Sequence, residues 1–173
     1  MYKRQALDVV ADTAPATNGH LTITAGQLSG GLFGTGEQGF GSLKLGNENL
    51  NQTVTVKNVA LDADVTIQTG GGNGGTIKAS GLTIENGHEV TLRGNQVVND
   101  GGTIDGGSGA INFYVNDLDG LTGSGVVTGT GALGIGTYDG KKEINLGTNG
   151  KGLVLNDDFF TNASSVFAKD FDS

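Results

Sequence analysis

The sequence predicts an all-β fold, a right-handed parallel β-helix with about 21 residues per coil and a short helical segment at its C-terminus. Three observations predict it. Apolar-polar-apolar triplets such as Leu82-Thr83-Ile84 are typical of half-buried strands. Gly and Asn-Gly close these triplets, and both tolerate the positive φ of a tight turn. The triplets also return at nearly constant spacing, which indicates a repeat architecture.

The composition favours a β protein whose turns are made by glycine. The 173 residues include 33 glycines, a single proline and no cysteine. The glycines lack a G-X-Y period, which excludes collagen, and the regular return of Val, Ile and Leu argues against disorder. Without cysteine there is neither a disulfide scaffold nor a thiolate metal site.

Charge and hydropathy exclude further classes. A net charge of −8 and a pI near 4.5 argue against nucleic acid as a partner, because phosphates require a basic face. No apolar run approaches the roughly 18 residues of a membrane span, so we expect no membrane-spanning segment. The N-terminal residues also lack the apolar stretch of a signal peptide.

The two ends of the chain differ from its middle. The start carries an adjacent Lys3-Arg4 pair outside the repeat pattern, so we expect residues 1–5 to be non-native and residues 1–20 to precede the β-helix. The chain stops after Ser173 without a turn or capping signal. We therefore expect an internal fragment of a longer protein, whose flanking repeats are its neighbours.

Residues 21–156 are predicted to form the β-helix, with three columns of inward side chains at offsets of roughly 20 to 22 residues. The first column contains Val90/Leu92, Ile111/Phe113, Leu133/Ile135 and Leu153/Leu155. The second contains Leu82/Ile84, Ile104, Val126 and Leu146. The third contains Val54/Val56, Ile77, Val98 and either Leu118 or Leu121. Since one coil cannot bury its own apolar side chains, stacking at about 4.8 Å per coil creates the core.

Polar residues between these positions should face solvent, and glycine-rich pairs should form the corners. The predicted outward residues are Thr55, Thr66, Thr83, Thr91, Lys78 and Arg93. The predicted corners are Asn86-Gly87, Gly101-Gly102, Gly106-Gly107 and Asn149-Gly150, with a loop bulging out at residues 70–75.

The segment 157–173 is predicted to form a short helix or lid that packs on the last coil. Asn156 or Asp157 would cap its start. Its apolar residues fall at helical spacing. They are Phe159, Phe160, Ala163, Val166, Phe167 and Phe171. An exposed helix that binds a partner is the alternative.

Two motifs resemble cofactor or metal sites without their usual context. Gly34, Gly36 and Gly39 have the G-x-G-x-x-G spacing of dinucleotide-binding turns, but a strand-like segment follows where a helix is required. His20 and His88 both follow Asn-Gly and lack companion ligands, so we expect them to flank equivalent corners rather than bind a metal. No cofactor is predicted.

Calcium is the stronger alternative, because glycine-rich nonapeptides with an Asp form calcium-binding β-rolls. The stretch Gly71-Gly72-Asn73-Gly74 begins that pattern, but Thr76 stands where the Asp should be. The stretch ending in Asp105 has the acid and the wrong glycine spacing. Calcium binding by acidic residues at the corners is an alternative that the sequence leaves open. The candidate pairs are Asp117/Asp119 and Asp157/Asp158.

Pairs of carboxylates could also cleave polysaccharides, since glycosidases place two acids on either side of the sugar bond. The candidate pairs are Asp100/Asp105 and Asp117/Asp119. A catalytic face would also bring basic residues to these acids, and none lies close in sequence. We therefore expect solvated turn acids and no catalytic residue.

Several segments together resemble the filamentous-haemagglutinin-like regions of large bacterial surface and secreted proteins. They are LTITAG, VTVKNVALDADVTIQT, ENGHEVTLRGN and GTGALGIGT. The resemblance covers roughly residues 21–173 and implies the β-helical shaft of an adhesin or exoprotein, exported by a two-partner or related route. The NPNG-type secretion motif is absent, and Thr17-Asn18-Gly19 is the nearest approach to it.

We accordingly expect a structural and interaction module without enzymatic activity, located at the cell surface or outside the cell. Its expected partners are glycans or surface proteins of a host or the environment. The alternative is a β-helical carbohydrate-active domain, a lyase or a hydrolase. That alternative is favoured if folding brings Asp or Glu from adjacent coils together in a groove with Lys or Arg.

Overall fold

The computed structural model describes residues 6–9, 20–24, 41–116, 121–146 and 153–155, and the fold given below is that of these residues. They form an all-β parallel solenoid of about four turns with about 22 residues per turn and no helix. This confirms the predicted all-β parallel solenoid, while its right-handed sense stays a prediction. The segment 157–173 lies outside the described residues.

Fifteen strands follow one another along the described residues. The first eight are β1 (Ala6–Val9), β2 (His20–Thr24), β3 (Ser42–Leu45), β4 (Thr53–Leu61), β5 (Asp64–Gln68), β6 (Thr76–Ile84), β7 (Val90–Arg93) and β8 (Gln96–Asn99). The others are β9 (Thr103–Asp105), β10 (Ile111–Val115), β11 (Leu121–Gly123), β12 (Val126–Thr128), β13 (Leu133–Thr137), β14 (Ile144–Leu146) and β15 (Leu153–Leu155).

The strands stack into two long parallel sheets and one short one. The first sheet has the order β1-β3-β5-β7-β10-β13, so each coil contributes one strand to it. The second sheet stacks β2, β4 and β6, and then continues as two branches, β8-β11 and β9-β12. Strands β14 and β15 pair with each other. Strand β1 lies within residues 1–20, which were expected to precede the repeat, and yet it pairs in register with β3.

A bend divides the second sheet into two sides, which gives the four coils from β3 to β12 the predicted three sides. In β4 the bend is at Asn58, with φ of 51°, and in β6 it is at Gly81, with φ of 64°. The pairs on either side of the bend place these two residues opposite each other. Asn tolerates this left-handed conformation better than most residues, and Gly adopts it without steric cost.

The apolar core lies between the sheets, and its first column is confirmed over three coils. Val90 and Leu92 pair in register with Ile111 and Phe113, which pair in turn with Leu133 and Ile135. Leu153 and Leu155 do not extend this column in the described residues but pair with Ile144 and Leu146. Because Leu146 and Leu155 pair with each other, they do not belong to two different columns as predicted.

Two other column assignments were wrong by one residue. Val97 pairs with Ile77 and is buried, whereas Val98, the predicted core residue, lies on the outer face. Val127 pairs with Ile104 and is buried, while Val126 is 36% exposed. Because strand side chains alternate with period two, an error of one residue in the coil length reverses the assigned face. Leu121 does occupy the third column, and Leu118 is outside the described residues.

The core contains Val, Leu and Ile side chains of successive coils, with Phe113 as the largest fully buried one. Each such side chain contributes about 1.5–3 kcal/mol when it is fully buried. All six predicted outward residues are half-buried or exposed, as expected. Asn86 and Gly87 both have positive φ at the turn before β7, and residues 70–75 form a loop without strand structure. Residues 149 and 150 lie outside the described part.

Candidate functional site

The outer face of the first sheet carries a row of large side chains across consecutive coils. Gln68 of β5 is opposite Arg93 of β7, which is opposite Tyr114 of β10. The next residue in this row is Gly136 of β13. Neighbouring strands are about 4.8 Å apart, so the four residues form one continuous strip along the solenoid.

Gly136 makes room for the Tyr114 ring. A Cβ atom built on Gly136 would lie 2.8 Å from two carbons of that ring, closer than real contacts allow. The ring therefore lies over the backbone of β13, where any side chain would displace it. Tyr114 nevertheless remains 38% exposed, one of the most exposed large apolar side chains in the described residues.

Arg93 holds together three parts of the chain that are distant in sequence. Its Nε and Nη2 atoms donate to the Tyr138 carbonyl oxygen at 3.1 and 2.9 Å. Its Nη1 atom donates to Glu48 Oε2 at 2.7 Å. The guanidinium carbon also lies 4.7 Å from the centroid of the Tyr138 ring. A planar guanidinium is suited to such combined bidentate and stacking contacts, which a lysine cannot reproduce.

The turn at residues 138–140 folds back over the earlier coils. The Tyr138 amide donates to the Val115 carbonyl at 2.9 Å, and its hydroxyl donates to the Glu48 carbonyl at 2.9 Å. A Cβ on Gly71 would lie 2.5 Å from the Tyr138 ring, so the ring packs directly on that backbone. These contacts place the turn as a wall beside the outer face of the first sheet.

A groove with a volume of about 450 Å³ lies between this wall and the sheet. Its lining comprises Thr66, Gln68, Thr91, Arg93, Tyr114, Thr137, Tyr138, Asp139 and Gly140. The lining combines two tyrosine rings with hydroxyl, amide and carboxylate groups. Glu48 pairs with Arg93 and offsets its positive charge, so Asp139 leaves the groove with a net negative charge. Such a mixture of apolar surface and few polar groups is typical of small-molecule sites.

A second polar cluster joins consecutive coils at the corner before β7. His88 Nε2 lies 3.3 Å from Asp62 Oδ1, and His88 Nδ1 lies 3.1 Å from Asp64 Oδ1. Asn86 Nδ2 donates to the same Asp62 oxygen at 2.9 Å. A neutral imidazole carries one N–H and can donate to only one of the two carboxylates. A protonated His88 carries two and donates to both.

The carboxylate of Asp64 is stabilised in its charged form. The backbone amide of Glu89 donates to Asp64 Oδ1 at 3.0 Å, and this hydrogen bond is the main cause that lowers the pKa of Asp64 below its ordinary value of 3.8. The hydrogen bond and the charge interaction with His88 act in the same direction, while partial burial opposes them. The cluster therefore stabilises the stack of coils.

The described residues contain no group of three or more His, Asp or Glu side chains arranged to hold a metal ion. Within the same ranges of the chain, no helix is long and apolar enough to cross a membrane. The hydrogen bonds that join the His88 corner to Asp62 and Asp64 connect consecutive coils, so we interpret this cluster as a structural contact.

The candidate residues that the structure describes lie outside the groove lining. Asp105 Oδ1 accepts the Gly107 amide at 2.9 Å, as expected of a turn acid, and Asp100 is exposed at the corner after β8. Neither belongs to the groove lining. Gly72, in the first calcium candidate, donates its amide to Asn51 Oδ1 at 3.1 Å. Thr76 begins β6. The other candidates lie outside the described residues. They are Gly34, Gly36, Gly39, Asp117, Asp119, Asp157 and Asp158.

The expectation that His20 and His88 flank equivalent corners was wrong. His20 opens β2 in the second sheet and pairs with Thr53, whereas His88 precedes β7 in the first sheet. The shared Asn-Gly-His motif does not determine the sheet to which the histidine belongs. Two copies can therefore occur on different sides of the solenoid.

The residues that build the groove and its wall were not recognised together from the sequence. Arg93 is 45 residues from both Glu48 and Tyr138, so proximity along the chain offers no signal. The register of the first sheet did contain a partial signal, because Tyr114 is an aromatic residue at an outward position beside Arg93. No signal in the sequence predicted that the 138–140 turn packs against earlier coils.

Comparisons of this chain with known proteins identified no similar protein. No family model matches the chain, and no curated protein and no solved structure matches it. The parallel solenoid is therefore established by its strand register and core, and the groove by the contacts of Arg93 and Tyr138.

Proposed function

We propose that this chain is a section of the β-helical shaft of a bacterial cell-surface or secreted adhesin, and that it acts as a structural and interaction module without catalysis. The observation that carries the proposal is the continuous parallel stack. Its coils contribute to one shared apolar core and present polar residues outward. Such a repeat extends in one dimension, which suits a protein that projects binding regions away from a surface.

The outer faces support an interaction role. The exposed residues of the described part are mostly Gly, Asn, Asp, Glu, Lys, Thr and Ser, and the large apolar ones among them are Tyr114, Val126 and Ile144. The groove beside Tyr114 adds a concave surface of the size of a small-molecule site. A polar shaft with a local binding groove is consistent with an adhesin module.

The proposal is tested by locating the protein on cells of its source organism. Antibodies raised against the full chain are expected to label intact cells, or to detect the protein in culture medium, without permeabilisation. A permeabilised sample and an antibody against a cytoplasmic protein serve as controls. Labelling that requires permeabilisation would contradict the proposed location and with it the adhesin role.

A carbohydrate-active domain is the second candidate, and one observation favours it. Folding does bring acids and a base from different coils together, since Glu48 meets Arg93 and Asp139 lines the same groove. However, Glu48 is committed to an ion pair at 2.7 Å, while glycoside hydrolysis uses two carboxylates that flank the sugar bond. An assay for new reducing or unsaturated sugar ends separates the candidates, because the adhesin module is expected to produce neither.

A further inference from the structure

We propose that the groove between the first sheet and the 138–140 turn binds a neutral glycan, with the Tyr114 ring as its stacking platform. This inference rests on the proposed interaction role and names the ligand class of the same surface.

The Tyr114 ring has the position that sugar recognition requires. It is 38% exposed and borders the groove. Its location over Gly136 fixes the ring across the strand, because the glycine backbone supports it from beneath. One side of a pyranose ring presents C–H groups, which pack on an aromatic ring while the hydroxyls point away. A tyrosine also has a polar end that tolerates water at the edge of such a site.

Polar groups around the ring suit hydroxyl-rich ligands. Thr66 and Thr91 occupy the same row on adjacent strands, and Asp139 lies on the opposite wall. The Thr91 hydroxyl donates to Glu89 Oε1 at 3.3 Å and can still accept. Asp139 accepts the Lys141 amide at one oxygen and can accept again at the other. A sugar lying on Tyr114 would therefore meet partners on both sides of the groove. A purely apolar ligand would leave them unpaired at a cost in affinity.

The charges favour a neutral ligand over an anionic one. All the identified Arg93 contacts are internal, since its nitrogens bond to Tyr138 and Glu48 and its plane lies over the Tyr138 ring. Three of its five N–H donors are thus used within the chain and Glu48 offsets its charge, so Arg93 attracts a uronate or a sulfate less than a free guanidinium would. Asp139 and the net charge of −8 repel anions at the groove. The volume of about 450 Å³ fits a short segment of a glycan chain.

The test measures binding of the full chain to defined oligosaccharides by calorimetry. Neutral probes are cello-, malto- and chito-oligosaccharides, and anionic probes are oligogalacturonate and heparin fragments. We expect at least one neutral probe to bind with a Kd of about 1 mM or tighter. Tyr114→Ala should weaken that binding by roughly tenfold or more, because truncating an aromatic anchor removes the stacking surface. Tyr114→Phe retains the ring, and Val126→Ala removes an apolar side chain of similar exposure on the second sheet. Both should stay within about twofold of the unsubstituted chain.

Three outcomes would overturn the inference: no binding to any neutral probe, tighter binding to the anionic probes, or equal affinity for Tyr114→Ala and the unsubstituted chain. If Tyr114→Ala does not fold, the Tyr114 ring resonances of the unsubstituted chain replace it as the readout. They must then shift on addition of the neutral probe. Release of new sugar ends would contradict the non-catalytic role and leave the glycan site standing. The cell-labelling result is independent of the groove.

Discussion

The adjacent valines Val97 and Val98 provide a matched test of the coil register, because both lie in β8 and differ in the face they occupy. Val97 is 2% exposed and lies in register between Ile77 and Leu121 in the core. Val98 faces outward, opposite Lys78 on the preceding coil. The substitutions Val97→Asp and Val98→Asp therefore introduce the same chemical change one residue apart.

The expected difference between the two variants is large. Val97→Asp loses about 1.5–3 kcal/mol of apolar burial and adds the cost of a buried carboxylate, which is several kcal/mol even after relaxation. Together these approach the roughly 5–15 kcal/mol total stability of a typical domain. Val98→Asp loses some strand propensity, about 1 kcal/mol or less, and gains up to about 1 kcal/mol from the cross-strand pair with Lys78.

Circular dichroism during urea and thermal unfolding measures the difference, since the chain contains no tryptophan to report by fluorescence. We expect Val97→Asp to lose its cooperative transition and Val98→Asp to unfold within about 1 kcal/mol of the unsubstituted chain. Equal destabilisation of the two variants, or greater damage from Val98→Asp, would refute the register and restore Val98 to the core.

Three further predictions concern the bend, the acidic corner and the groove wall. Gly81→Ala should destabilise the chain by up to about 1 kcal/mol more than Gly140→Ala in urea unfolding. Both have positive φ, but an added Cβ at Gly81 would lie 2.6 Å from Asn58 Oδ1 and displace that side chain, whereas at Gly140 it would meet open space. Equal losses would exclude the clash as the cause. The lowered pKa of Asp64 stabilises the fold above pH 3.8, and this contribution is lost as pH falls through the folded-state pKa. Asp64→Asn should therefore lower the urea midpoint at neutral pH and shrink its decline in acid, and an unchanged acid profile would contradict this linkage. Arg93→Lys should keep the positive charge but lose the two hydrogen bonds to the Tyr138 carbonyl. Amide hydrogen exchange at the 138–140 turn should therefore accelerate, while the core strands stay protected. Unchanged exchange at the turn would show that Arg93 does not hold it.

The strand triplets, the three-sided coil and the core columns of the fold were predictable from the sequence. Val90, Ile111 and Leu133 stack as expected, because alternation identifies inward residues locally and the repeat interval carries them to the next coil. The same interval assigned Val98 and Val126 to the core, although both lie on the outer face. Turns of variable length shift the register by one residue, and the period of two then exchanges the faces.

The candidate site could not be predicted in the same way. Its exposed platform, Tyr114, is recognisable as an outward aromatic once the strand is assigned. Its wall depends on hydrogen bonds between Arg93 and Tyr138 and between Tyr138 and Glu48, which are 45 and 90 residues apart. The repeat of about 22 residues predicts which strands of neighbouring coils pair, but it does not predict that a turn folds back across two or more coils.

By itself, the sequence determined that this protein is a glycine-punctuated parallel solenoid, because strand alternation and turn residues act locally and repeat along the chain. The tertiary structure alone decided which valines enter the core, since that choice depends on the length of every intervening turn. The groove also depends on the tertiary structure alone. There the 138–140 turn crosses earlier coils, and Arg93 bonds to Tyr138 of that turn and to Glu48 of an earlier coil. Side chains from distant coils meet there because stacking places them about 4.8 Å per coil apart in space, whatever their distance in sequence.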